Sequence, residues 1–179
     1  KGFKAASTAA GIKYRDRKDM ALIYSEAPCK SAGTFTSNIV KAAPVKWDKN
    51  QVTGNVPART VVINAGIANA CTGEEGMAYC TQTADAAAAV LGIPAESVLV
   101  ASTGVIGKQL PMDKIKAGIE AMAPLLDGGT DSGTEASKAI MTTDTKNKEV
   151  AVQFELGGVT VTMGGMCKGS GIIHPNMCT

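Results

Sequence analysis

Three stretches of this chain set hydroxyl, amide or ammonium groups at spacings that chemistry can use. The first is the glycine-rich end, Gly164-Gly-Met-Cys-Lys168-Gly-Ser-Gly-Ile-Ile-His174-Pro-Asn-Met-Cys178-Thr179. Its small residues (Gly164, Gly165, Gly169, Ser170, Gly171) let the backbone turn tightly and expose its N–H groups. Lys168 reads either as a solvated loop lysine or as an anchor for a carboxylate, because the glycines around it leave its ammonium room to reach one. A basic loop running into Cys178-Thr179 looks like a cut edge rather than a frayed tail. The second stretch, Ser102-Thr103-Gly104-Val105-Ile106-Gly107, follows a buried strand. It reads as an ordinary strand-to-helix turn or as an oxyanion hole, with the Thr103 hydroxyl and the Gly104 N–H aimed at developing negative charge. The third, Thr142-Thr143-Asp144-Thr145, follows a short helix and taken alone is capping and turn chemistry. His174 is the single histidine and reads as a general base or a structural residue. Asn69 and Thr72-Gly73 carry no assignment.

Composition narrows the classes. The hydrophobic fraction of 45% over 179 residues supports one domain with a real core, and aromatics are scarce at 4%. A net charge of +2 and the lack of a dense basic stripe argue against a nucleic-acid surface. Lys13, Arg15, Arg17 and Lys18 cluster, but Asp16 and Asp19 interrupt them, so the expectation is a solvated loop. No apolar run is long enough for a membrane span, and no signal peptide opens the chain. The five cysteines (Cys29, Cys71, Cys80, Cys167, Cys178) are odd in number and lack CxxC spacing. That disfavours a disulfide framework or a zinc site and fits reduced thiols in a cytosolic compartment. Cys29, Cys71 and Cys80 read as small buried or half-buried residues.

The elements that must position these groups alternate in type. Residues 1–18 read as an extended edge or loop. Met20–Tyr24, Thr60–Asn64 and Ser97–Ala101 read as buried strands, and Gly33–Asn38 as a short strand. The polar stretch from Pro44 to Pro57 reads as a surface connection. Glu74 to Leu91 reads as a helix with acids in its first turn, and a second helix starts at Pro111 with an apolar stripe of Ile115, Ile119 and Met122. Glu135 to Met141 reads as a short helix. Glu149–Leu156 and Val159–Met163 flank Gly157-Gly158, a hairpin signal. The sum is an α/β or α+β domain.

The motifs also carry a resemblance. In order along the whole chain, Gly11-Ile-Lys13, Asp19-Met-Ala-Leu-Ile23, Thr36-Ser-Asn38, Asn64-Ala-Gly-Ile-Ala-Asn-Ala70, Thr72-Gly73, Ala101-Ser-Thr-Gly-Val-Ile-Gly107, Ile140-Met-Thr-Thr-Asp-Thr145 and Lys168-Gly-Ser-Gly-Ile-Ile-His-Pro-Asn-Met-Cys-Thr179 resemble landmarks of the ornithine acetyltransferase family of arginine biosynthesis. The resemblance implies an α/β (α+β) fold of layered sheets and helices, of the self-processing N-terminal-nucleophile-like type shared with related aminopeptidases. It implies that residues 1–179 are a single α-chain domain ending at a self-cleavage site. The Thr179 hydroxyl would attack the Cys178 carbonyl, and water would open the resulting ester. The freed amine then activates Thr179 as the nucleophile, which leaves His174 structural.

The same resemblance implies an oxyanion hole at Thr103 and Gly104, and substrate binding by Thr142, Lys168 and Thr179, with Thr143 a one-residue-off alternative. The reaction it implies moves acetyl from N-acetylornithine to glutamate through an acetyl-threonine. Acetyl-CoA is a further substrate in some members; no cofactor or metal is needed. The expected partner is a β chain from the same precursor in an α2β2 heterotetramer, in the cytoplasm. Two features depart from the pattern. Cys178 stands where alanine is more familiar, and Thr179 ends this chain although the family's cut would make it the first residue of the β chain. That points to an uncut precursor, a shifted cut or an arbitrary boundary. A self-processing amidase or aminopeptidase is the alternative enzyme, and a binding domain with a glycine-rich tail the alternative outside catalysis.

Overall fold

The computed structural model describes residues 2–171. Its centre is a four-stranded sheet of β1 (Phe3–Thr8), β2 (Met20–Cys29), β3 (Ala58–Ile67) and β4 (Val98–Val105), in that spatial order. β1 and β3 run antiparallel to β2, while β4 runs parallel to β3. The parallel step needs a crossover, supplied by α2 (Gly73–Leu91) and a 3₁₀ turn at Ala95–Ser97. The sheet reads as apolar runs rather than a polar–apolar alternation because both of its faces carry helices.

The larger core lies on the face that β1 to β4 present through Ala6, Met20, Leu22, Val62, Val98 and Val100. It is closed by α2, through Cys80, Ala84 and Ala87, and by α3 (Met112–Met122), through Ile115, Ile119 and Met122. The four-and-three spacing in α3 is what turns those three side chains to one side. Each is buried almost completely, a contribution of roughly 1.5–3 kcal/mol apiece. The Cys80 thiol is pushed up to about 12, first by burial and then by the nearby Asp48 carboxylate, which makes it an inert core residue. Cys29 is half-buried, whereas Cys71 is exposed rather than covered.

The opposite face is covered only in part. α4 (Thr130–Ala139) lies over β1 and β2, where Ala5 and Ala21 meet Ala136, Ala139 and Ile140. Over β3 and β4, the side chains of Val61, Ile63, Leu99 and Ala101 stay half-exposed.

The stretch expected as a surface connection, Pro44 to Pro57, instead contains a helix, α1 (Ala43–Thr53). It is polar because it docks by hydrogen bonds along a strand edge. Trp47 Nε1 donates to the Val98 carbonyl at 2.9 Å and Asp48 Oδ1 accepts from the Val100 N–H at 2.9 Å, so α1 satisfies the outer edge of β4. Residues 3–8 form the edge strand β1, and Gly33–Asn38 forms no strand.

β5 (Lys148–Leu156) and β6 (Val159–Cys167) form a separate two-stranded sheet. Gly157 and Gly158 both take positive φ, 59° and 78°, as the tight turn of such a hairpin demands. The register sets Val150, Val152, Phe154 and Leu156 on one side with Val159, Val161 and Met163. Most of this apolar face is exposed, with Val150 at 64% and Leu156 at 65%. A two-stranded ribbon with an uncovered apolar face is marginal by itself.

Candidate active site

Thr103 and Gly104 do not form a turn after β4; they lie inside it, just before its last rung, paired in register with Ala65 and Gly66 of β3. Cross-strand partners share a face. Thr103 therefore projects with Ile63, Ala65 and Ala101 onto the half-covered α4 side of the sheet. Among the described residues its hydroxyl has no hydrogen-bond partner.

The direction of the Gly104 N–H follows from the edge contacts of β4. The Val98 carbonyl and Val100 N–H point outward to α1, while the Val105 carbonyl points inward and accepts from the Ala68 N–H at 2.9 Å. Backbone groups alternate in direction along a strand, so the Gly104 N–H faces the outer edge, and Gly104 is exposed. Glycine is required here by backbone conformation and by contact. Gly104 has φ +136°, and a Cβ on it would lie 2.2 Å from the carbonyl carbon of Gly66.

The Thr142 turn and the Lys168 loop come together at the end of α4 and the foot of the hairpin. Asp144, which the sequence offered only as part of a turn, is the residue that joins them. Its side chain is fully buried. It accepts from Lys148 Nζ at 2.8 Å, from the Gly169 N–H at 2.7 Å and from the Thr142 N–H at 3.2 Å. Burial alone would raise its carboxyl, but those three donors outweigh burial and hold it well below the usual carboxylate range. A second tie runs between the Thr143 and Ser170 hydroxyls at 2.6 Å. Lys168 is half-buried, and neither its ammonium nor the Thr142 hydroxyl has a partner among the described residues.

The loop between β1 and β2 links the two halves of the site. Asp19, fully buried, folds it by accepting from the Ala10 and Ile12 N–H groups at 2.8 and 2.7 Å. Lys13 and Tyr14 lie against Gly66, the partner of Gly104. Arg17 stacks over the Tyr14 ring at 4.1 Å and donates to the Met141 and Thr142 carbonyls, at 3.5 Å for Thr142. Lys18 pairs with Glu135 of α4 at 3.0 Å. The basic cluster is therefore a docked brace in part, not the solvated loop that its alternating charges suggest. Met166, two residues before Lys168, packs into the same small core as Ile63, which sets the Lys168 loop on the face that carries Thr103.

Asn69 and Thr72 are structural. Asn69 donates to the Gly76 carbonyl at 2.8 Å and accepts from Thr72 at 2.7 Å, fixing the start of α2. A cleft of about 340 Å³ between the β1–β2 loop and α3 holds none of the candidate residues. No cluster of metal-ligating side chains occurs among the described residues, and no helix among them is long and apolar enough to cross a membrane. His174, Cys178 and Thr179 lie outside the described residues.

This layered fold matches that of two solved structures. The chain matches the ornithine acetyltransferase of Mycobacterium tuberculosis, solved in complex with ornithine, with a TM-score of 0.90. The two share 46% identity, over 96% of this chain and 90% of that one. It also matches the arginine biosynthesis bifunctional protein argJ of Bacillus halodurans, with a TM-score of 0.89 and 40% identity, over 97% of this chain and 90% of that one. The ArgJ family model matches residues 4–179. This chain belongs to the ArgJ family. Curated relatives named arginine biosynthesis bifunctional protein ArgJ include those of Symbiobacterium thermophilum, 52% identical over 99% of this chain, and Thermotoga neapolitana, 48% identical over 100% of it. The chain spans only 44% of the length of each.

Proposed function

We propose that this chain is the α part of a glutamate N-acetyltransferase of arginine biosynthesis. It moves acetyl from N-acetylornithine to glutamate. The observation that carries the reading is the Thr103 hydroxyl, unpartnered among the described residues, on the sheet face that also carries the Thr142 turn and the Lys168 loop, with the Gly104 N–H turned to the adjacent edge.

The reaction runs in two steps. The Thr179 hydroxyl attacks the acetyl carbonyl of N-acetylornithine, with its own α-amine taking the proton. The tetrahedral oxyanion is held by Thr103 and Gly104, the C–N bond breaks, and ornithine leaves carrying the proton. The glutamate amine then attacks the acetyl ester through the same oxyanion, and Thr179 is released. Lys168 and Thr142 hold the substrate carboxylate, the ammonium as a charge and the hydroxyl as a donor. Acetyl-CoA is a second acetyl donor for the same nucleophile.

The α-amine exists only after the bond between Cys178 and Thr179 is cut. The lengths of the relatives support such a cut. This chain covers 90% of the solved ornithine acetyltransferase chain but 44% of the curated full-length relatives. The downstream part then forms the β chain, in an α2β2 assembly in the cytoplasm. The uncovered sides of β3–β4 and of the hairpin are where it docks.

The test uses the full-length protein. Thr179→Ala should leave one uncut polypeptide and no acetyl-enzyme, while Thr179→Ser should retain some cleavage. Intact processing of Thr179→Ala would overturn the nucleophile. Hydrolysis of acetylornithine without transfer to glutamate would favour an amidase.

A further inference from the structure

We propose that Asp144 is a positioning residue that locks the Thr142 turn and the Lys168 loop into one substrate-binding unit. The proposal rests on the reading above, in which those two residues hold the substrate carboxylate.

The geometry separates this role from ordinary hairpin closure. Thr142 and Gly169 are joined in space only at the foot of the hairpin, with all of β5 and β6 running out between them. Each oxygen of Asp144 takes one side of that gap. Oδ2 accepts from the Thr142 N–H and Oδ1 from the Gly169 N–H, the residue directly after Lys168. Both contacts are made to backbone, so they set where the chain lies. The side chains of Thr142 and Lys168 remain free among the described residues. Burial of the carboxylate removes competing water, and two backbone donors with one ammonium satisfy it. The hairpin closes without Asp144, since Lys148 pairs in register with Cys167 at its first rung, and the Lys148–Asp144 ion pair is local to the strand that enters it.

Asp144→Asn keeps one acceptor oxygen but turns an amide NH₂ against one of the two backbone N–H groups. One side of the clamp must open. Misplacing the carboxylate site weakens ground state and transition state together, so KM should rise with kcat nearly unchanged.

The experiment is steady-state kinetics on the full-length, processed protein with N-acetylornithine and glutamate, alongside thermal denaturation. Asp144→Asn should raise KM for both substrates roughly tenfold, with kcat within about threefold of the parent. Lys148→Met breaks the ion pair but leaves both backbone contacts, and should keep KM within about twofold. Asp144→Glu keeps the charge but shifts both oxygens by a methylene, and should raise KM about threefold. It decides the matter if Asp144→Asn does not fold. Unchanged KM in a folded Asp144→Asn, or in Asp144→Glu where that variant decides, overturns the proposal. So does an equal rise in Lys148→Met, which would assign the effect to the ion pair rather than to the two backbone contacts. A parent protein that transfers no acetyl overturns the underlying reading instead.

Discussion

Replacing Thr103 should separate catalysis from stability, because the structure gives its hydroxyl nothing to do in the ground state. Among the described residues that hydroxyl has no partner, although Thr103 is half-buried at the end of β4. Thr103→Val keeps the β-branched shape that suits a strand and removes only the hydroxyl. Its cost to folding should stay within about 0.5 kcal/mol, the range of substitutions that break no contact. An oxyanion donor, in contrast, is used when charge develops. Losing one costs about 10²–10³ in rate, or roughly 2.7–4 kcal/mol of transition-state stabilisation. In the proposed mechanism the same oxyanion forms in self-cleavage and in both acetyl transfers, so all three steps should slow together. Single-turnover acetyl transfer, gel analysis of precursor cleavage and chemical denaturation measure the three quantities on one preparation. Thr103→Ser retains the hydroxyl and should stay close to the parent. Parent-like rates in Thr103→Val would remove the hydroxyl from the mechanism. A loss in Thr103→Ser equal to that in Thr103→Val would assign the effect to packing.

Three further outcomes follow from other parts of the chain. Lys168→Met should leave cleavage intact and raise KM for acetylornithine and glutamate, by an effect of about 1.5–3 kcal/mol in steady-state assays. Burial pushes the Asp48 carboxyl up to about 7, with the Val100 N–H opposing only in part. A carboxyl that binds its proton more tightly folded than unfolded makes stability fall as pH rises from about 4 to about 7, then level off. Asp48→Asn should flatten that slope and raise stability at pH 8 by about 2 kcal/mol in urea denaturation. Residues 1–178 expressed without the downstream part should aggregate or be inactive, because the hairpin face of Val150, Val152 and Leu156 is exposed. A soluble, active monomer by gel filtration and assay would refute this.

The local pattern of this chain determined most of its elements. The β-branched run Thr60–Asn64, the glycine pair at 157–158 and the apolar stripe of α3 each carry their own period, so strand, turn and helix were legible there. The helix α1 was not, because its polar side chains serve a strand edge far away in sequence, through Trp47 and Asp48. The order of motifs marked Thr103, Thr142 and Lys168 as candidates. Only the tertiary structure decided where each lies. The register with β3 sets the face of Thr103, and the alternation of β4 aims the Gly104 N–H outward. The β1–β2 loop ties Gly66 to Thr142 through Tyr14 and Arg17. Asp144 was the least legible residue of all. Its chemistry depends on Gly169, whose N–H reaches it only once the whole hairpin has folded back. Spacing along a chain records local periods; a contact closed across an intervening hairpin leaves no period to read.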